Sequence, residues 1–83
     1  MVSLMNRGTV VKTIAGRDKG CLQVVLCCKE DRVLLADGKT RKLANPKSKN
    51  VRHLQKTQQH INLDEIHSDK ALKKALTNML DLI

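Results

Sequence analysis

No phenylalanine, tyrosine or tryptophan occurs among the 83 residues of this chain. The hydrophobic core must therefore be built from aliphatic side chains, methionine and cysteine. A single core of this size supplies only about 3–5 kcal/mol of stability, so the length predicts one small domain and excludes a multidomain enzyme. A surface that holds single-stranded nucleic acid by stacking bases on aromatic rings is also excluded.

The positive charge is concentrated in the first two thirds of the chain. The formal net charge is +8; residues 1–56 hold 13 basic and 4 acidic residues, whereas residues 57–83 hold 3 and 4. The densest run, residues 39–56, contains seven cations and no acid. Such a run attracts polyanions, because their condensed counterions are released on binding. The alternative is a solvated basic face that keeps a small protein soluble.

Two β-strands are predicted at the start of the basic region. Residues 8–15 are rich in β-branched side chains and end at a loop, residues 16–20, whose two glycines permit positive φ. Residues 21–28 form the second strand, and their alternation predicts that both of its faces are covered. One face is expected to carry Leu22, Val24, Leu26 and Cys28, and the other Val25 and Cys27.

A meander is predicted to follow these two strands. Residues 32–36 form a third strand, Asp37-Gly38 is a two-residue hairpin signal, and residues 39–43 form a fourth strand. Pro46 breaks the fourth strand, and residues 51–54 form a short fifth strand or a tight helical turn. Five short strands predict a mainly β fold, a small bent antiparallel barrel over residues 1–56.

Beyond residue 56 the apolar pattern changes from period two to period 3.6. Residues 57–60 are polar and predict a linker, and Ser68 is the expected N-cap of a C-terminal helix. The helix is expected to pack on or beside the barrel, against the second apolar face of the strand at residues 21–28. The alternative is a docking helix for another protein or a dimer seam. Its apolar stripe comprises Leu72, Ala75, Leu76, Met79, Leu80 and Ile83.

The segment Arg7-Gly8-Thr-Val-Val-Lys-Thr-Ile-Ala-Gly16-Arg17-Asp18-Lys19-Gly20, followed by an apolar strand, resembles the KOW motif. That motif is the strand-loop-strand element of SH3-like barrels in large-subunit ribosomal proteins and the transcription factor NusG. Residues 33–43 and 45–54 continue the likeness. They resemble bacterial KOW-domain RNA-binding proteins that are similar to the ribosomal protein L14-type family of archaea and eukaryotes. The resemblance covers residues 7–54.

The resemblance implies an SH3-like barrel, RNA as the ligand and association with the ribosome. KOW modules of the NusG type also bind proteins, so an interaction adaptor in translation or transcription is the alternative function. Nonspecific DNA binding shares the same electrostatics and is a third possibility. The free protein is expected to be a monomer, with no membrane partner.

Arginine and lysine suffice to bind folded RNA, because A-form duplexes are recognised through phosphates, 2′-hydroxyls and shape. Asp18 is interpreted as a turn residue. His53 either contacts the RNA or is a partly buried strand histidine, the interpretation we favour. Lys73, on the tail, is expected to lie outside the RNA-binding surface. The candidate RNA-binding residues are Arg7, Lys12, Arg17, Lys19, Lys39, Arg41, Lys42, Lys47, Lys49, Arg52 and His53.

Catalysis, cofactors and metals are not expected. The chain has no glycine-rich nucleotide loop of Walker or dinucleotide spacing, no His-Glu-x-x-His run and no nucleophile elbow. A zinc site from Cys27, Cys28 and the three histidines is disfavoured, because adjacent cysteines on a strand point to opposite faces and no Cys-x-x-Cys occurs.

Reduced cysteines and a cytoplasmic location are expected. The three cysteines are odd in number, which does not suit a disulfide framework. No stretch approaches the roughly 18–20 apolar residues of a membrane span, and residues 1–7 lack the layout of a signal peptide.

Overall fold

The structure, a computed structural model, describes residues 6–16 and 19–79 and is mainly β, as predicted. It contains one helix, α1, at Asp69–Met79, and short 3₁₀ turns at Val51–His53 and Leu63–Glu65. The five strands are β1 (Thr9–Thr13), β2 (Leu22–Lys29), β3 (Arg32–Ala36), β4 (Lys47–Asn50) and β5 (Leu54–His60).

All five strands form one antiparallel sheet in the order β4-β3-β2-β1-β5. The sheet is not closed, because β4 and β5 are its two edges and do not pair within the described residues. The arrangement is compatible with a small barrel-like fold. The prediction of five strands followed by a C-terminal helix is confirmed.

The sheet buries aliphatic side chains on both faces. One cluster joins Val10, Leu22 and Val24 of the sheet to Leu72 and Leu76 of α1. On the other face, a second cluster of buried aliphatic residues contains no residue of α1. The second cluster comprises Val11, Val25, Val33, Leu35 and Leu54.

A β-bulge changes which face of β2 its last residues occupy. Val25 pairs with Leu35, but Cys27 pairs with Leu34, so two steps along β2 match one step along β3. The extra residue reverses the alternation. Cys28 therefore packs with Val25 in the second cluster, and the prediction that it shares a face with Val24 is wrong. The prediction of two covered faces for β2 is confirmed.

The fourth strand lies beyond Pro46 instead of directly after Gly38. Residues 39–43 form bends and turns, so the predicted strand there and the two-residue hairpin are wrong. The physical reason is that Asp37 Oδ1 accepts hydrogen bonds from the backbone N–H groups of Lys39 and Arg41, both at 2.8 Å. This capping holds the chain in a compact loop that a ladder partner of β3 cannot adopt.

The predicted polar linker at residues 57–60 is also wrong, because β5 runs through it to His60. The strand therefore crosses residue 56, where the predicted barrel ended. Thr57 Oγ1 donates to the backbone oxygen of Val10 at 2.6 Å and accepts from Gln59 N–H at 3.1 Å. These bonds lie at a shift in the pairing register of β1 and β5, between Thr9 and Val11. A regular alternation of apolar and polar residues does not predict such a shift. Of the two alternatives for residues 51–54, the helical turn is confirmed for Val51–His53.

The start and the packing of the C-terminal helix are confirmed. Ser68 Oγ accepts a hydrogen bond from Ala71 N–H at 3.1 Å, as an N-cap residue does. Leu72 and Leu76 are 0% and 5% exposed, and they pack against Leu22 and Val24. The part of the stripe at residues 80–83 lies outside the described residues.

Candidate nucleic-acid interface

Three cationic segments adjoin one another; two of them are loops at the same end of the sheet, and the third runs along the edge strand β4 from that end to the other. They are the loop between β1 and β2 (residues 14–21), the loop between β3 and β4 (residues 37–46), and β4 with its 3₁₀ turn (residues 47–53). The antiparallel order brings the end of β1 beside the start of β2, and the start of β2 beside the end of β3. We call the basic residues of these three segments, histidine included, the basic end.

Two hydrogen bonds join the first and third segments. The Nζ of Lys49, on β4, donates to the backbone oxygen of Ala15 at 3.2 Å. The backbone N–H of Ile14 donates to the backbone oxygen of His53 at 2.9 Å. The Lys49 bond crosses from the edge strand β4 to the end of β1, and the Ile14 bond continues the β1–β5 ladder, so the two segments form one continuous surface.

The loop of residues 37–46 is held rigidly at its base. The backbone N–H groups of Asp37 and Gly38 donate to the oxygen of Arg41 at 2.8 and 3.1 Å, in addition to the two bonds that the Asp37 carboxylate accepts. The carboxylate is thus engaged by backbone amides. Lys39 and Lys42 remain exposed on the loop.

The same loop is attached to α1. Asp69 Oδ1 accepts a hydrogen bond from the backbone N–H of Leu43 at 2.7 Å. Gly38, at φ +78°, lies so close to the helix that a Cβ there would overlap the Asp69 backbone oxygen and lie 2.9 Å from Lys73 N. The helix therefore supports the loop of residues 37–46.

The 3₁₀ turn after β4 presents Arg52 and His53 to solvent. Asn50 is its N-cap, with Oδ1 accepting from Arg52 N–H at 2.9 Å. Both Arg52 and His53 are exposed. The favoured interpretation of His53 as a partly buried strand histidine is wrong, because the turn replaces the strand at this point. His53 instead lies beside the loop of residues 14–21, through its backbone bond to Ile14.

Not every candidate residue belongs to the basic end. Arg7 precedes β1 at the opposite end of that strand, and its Nη1 lies 3.4 Å from Asp64 Oδ1 in an exposed ion pair. Lys12 is exposed on β1, where it pairs with Leu22 and Gln55. Arg17 and Asp18 lie outside the described residues. The described candidates at the basic end are Lys19, Lys39, Arg41, Lys42, Lys47, Lys49, Arg52 and His53.

Most of these cations are not neutralised by acidic side chains. Within residues 6–16 and 19–79, none of five exposed cations forms an ion pair with a carboxylate. The basic end therefore keeps a high density of positive charge facing solvent, which is what attraction of a polyanion requires. The five are Lys19, Lys39, Lys42, Lys47 and Arg52.

One lysine of the tail, which was expected to lie outside the RNA-binding surface, lies beside the basic end. Lys73 lines the same groove as Lys39, Gly20 and Cys21. The sequence carries one signal for this placement of Lys73. The residue lies one position after Leu72 and three before Leu76, at the border of the apolar stripe of α1. Placing Lys73 in the groove requires the position of the loop of residues 37–46, and the prediction of a strand at residues 39–43 gave that loop a different position.

The cysteines and acidic residues do not assemble into a metal site in the part of the chain that the structure describes. No group of three histidine, cysteine or acidic side chains is placed to hold a metal ion there. Cys21 and Cys27 are exposed and Cys28 is half-buried, and all three are free thiols. No helix among the described residues is both long and apolar enough to cross a bilayer.

Comparison of the sequence with protein-family models and with curated proteins finds no match.

Proposed function

We propose that this protein is a non-catalytic RNA-binding module of the cytoplasm that recognises structured RNA, ribosomal RNA in particular. Recognition is mainly through the phosphate backbone and the shape of the RNA. The observation that carries the proposal is the contact between three cationic segments, two of which are joined by the Lys49–Ala15 and Ile14–His53 hydrogen bonds.

The chemistry of the basic end suits phosphates better than base edges. Arginine contributes a planar fork that binds two phosphate oxygens, and lysine acts as a point charge. Arg52 is held on a capped turn, and Lys39 is on a loop whose base is closed by the Asp37 carboxylate. Donors held in this way lose less conformational entropy when they contact RNA.

The KOW-like segment and the absence of aromatic rings support the same proposal. The resemblance over residues 7–54 includes the glycine-bounded loop and the basic segment that meet at the basic end. Without aromatic rings, the chain lacks the usual platform for single strands, which favours folded RNA. The protein-adaptor alternative loses its best surface, because Leu72 and Leu76 of the apolar stripe are buried against the sheet.

Sedimentation of the protein from a cell extract, with and without ribonuclease, tests this proposal. We expect the protein to sediment with ribosomal particles and to return to the top of the gradient after ribonuclease. The variant Lys47→Glu with Arg52→Glu should stay at the top without ribonuclease. Sedimentation with particles that survives ribonuclease would contradict RNA binding and support the adaptor.

A matched control removes the effect of net charge. Lys70 and Lys74, four residues apart, are exposed on the face of α1 opposite Leu72 and Leu76. Lys70→Glu with Lys74→Glu changes the net charge by the same amount as the test pair. This control should sediment as the wild type does. Competition between matched RNA and DNA duplexes then separates RNA binding from nonspecific DNA binding, and equal competition would contradict the proposal.

A further inference from the structure

An open groove of about 270 Å³ lies at the basic end, between the sheet and α1. One wall is the end of the first loop, Gly20 and Cys21, and another is the start of the second loop, Asp37 and Lys39. The helix supplies Lys73 as part of the third wall. This volume is just below the range of roughly 300–1,000 Å³ typical of small-molecule sites, so it suits one ring system.

The groove combines an apolar floor with cationic walls. Leu22 and Leu76, only 7% and 5% exposed, line it from the sheet and from the helix. Lys39 and Lys73 are exposed and belong to different walls, one on the loop and one on the helix. A nucleotide in RNA has the complementary arrangement, because an apolar base face lies between two phosphates.

The walls are held in place before any ligand arrives. The Leu43 N–H to Asp69 Oδ1 bond and the close approach of Gly38 to α1 attach the second loop to the helix. The bond from Thr13 N–H to the Cys21 oxygen, at 3.0 Å, fixes the start of the other wall. A preformed groove binds without a large ordering cost.

We propose that this groove receives one unstacked base of the bound RNA, with Lys39 and Lys73 contacting the phosphates on either side of it. The inference rests on the proposed function and adds the feature of the RNA that is recognised, a bulged or looped-out nucleotide within a duplex. The base lies against Leu22 and Leu76, as bases splayed from RNA loops lie against protein side chains.

Two RNA hairpins test the inference, one fully paired and one identical except for a single bulged nucleotide. We expect the wild type to bind the bulged hairpin about tenfold more tightly, which corresponds to burial of roughly 60 Å² of apolar surface. Lys73→Glu should reduce this preference to less than threefold. Lys74→Glu, a neighbouring change of equal charge outside the groove, should leave the preference unchanged.

The exposed cysteines provide a second readout in the unmodified protein. Cys21 lines the groove, whereas Cys27 is exposed on β2 outside the groove and serves as the internal control. At saturation, the bulged hairpin should slow alkylation of Cys21 at least fivefold more than the paired hairpin does. The two hairpins should affect alkylation of Cys27 equally.

The outcomes separate the inference from the proposed function. Equal affinity for the two hairpins, or equal protection of Cys21 by both, overturns the base-binding groove while RNA binding stands. Loss of the preference in both Lys73→Glu and Lys74→Glu also overturns the groove. If neither hairpin binds at low salt, the proposed function itself is overturned.

Discussion

The side chain of Lys49 spans the gap between the two sides of the open sheet, with its Nζ 3.2 Å from the backbone oxygen of Ala15. Lys49 belongs to the edge strand β4, whereas Ala15 follows β1, which pairs with the other edge strand, β5. The Lys49 side chain therefore links the two sides of the open sheet where no ladder does, whereas the Ile14–His53 bond continues the β1–β5 ladder.

Removing the Lys49–Ala15 hydrogen bond should weaken the fold slightly. Lys49→Met keeps most of the aliphatic stem but loses the donor, so the free energy of unfolding should fall by about 1 kcal/mol. Lys47→Met, on the exposed start of the same strand, should change it by less than about 0.5 kcal/mol. Urea denaturation followed by circular dichroism measures both. Equal stabilities for the two variants would show that the Lys49–Ala15 bond does not stabilise the fold.

The helix should be part of the domain and not an appendage. Leu72 is fully buried between α1 and the sheet, so Leu72→Ala should lower the free energy of unfolding by about 2–5 kcal/mol. Leu34 is 38% exposed, and Leu34→Ala should cost about 1 kcal/mol or less. Thermal unfolding, followed by the circular-dichroism signals of strand and helix, measures both variants. Loss of the helix signal alone in Leu72→Ala, with the sheet intact, would contradict a shared core.

Two glycines with the same sign of φ should differ in their tolerance of a side chain. Gly38→Ala introduces a Cβ that meets the helix backbone, so it should destabilise the protein by about 3 kcal/mol or more. Gly20 has φ +91° but nothing within 4 Å of a Cβ, so Gly20→Ala should cost only about 1 kcal/mol for the backbone conformation. Equal losses, measured by urea denaturation, would show that the loop does not lie against α1.

The carboxylate of Asp69 should contribute more to the free energy of unfolding than the carboxylate of the exposed Asp64. Asp69→Ala leaves Leu43 N–H without its partner and removes an acid from the first turn of α1, so about 1–2 kcal/mol should be lost. Asp69→Asn keeps an acceptor oxygen and should lose less. Asp64→Ala breaks only the exposed pair with Arg7 and should cost less than about 0.5 kcal/mol. Chemical denaturation of the three variants should reproduce this order; a reversed order would contradict the role of Asp69.

Local patterns predicted much of the fold. The β-branched run and the alternation of residues 8–28 predicted β1 and β2, and Ser68 predicted the start of α1. The fourth strand was misplaced because Asp37-Gly38 has the composition of a hairpin turn, whereas the carboxylate instead caps a longer loop. The bulge after Val25 was missed because period-two alternation contains no signal for an inserted residue.

The candidate site was predictable in composition but not in arrangement. The basic run identified the cations of residues 39–52, yet it did not separate Arg7, which pairs with Asp64 at the far end, from the others. The place of Lys73 beside the basic end was not predictable, because it depends on the contact between Gly38 and the helix, which joins residues far apart in sequence.

The salt dependence of RNA affinity tests the central claim most directly. We expect the basic end to contact about 5–7 phosphates, so the logarithm of the binding constant should fall with the logarithm of salt with a slope of about −4 to −6. Lys47→Glu with Arg52→Glu should make the slope shallower by about 2, whereas Lys70→Glu with Lys74→Glu should leave it unchanged. A wild-type slope near zero, or equal changes in both double variants, would contradict RNA binding through the basic end.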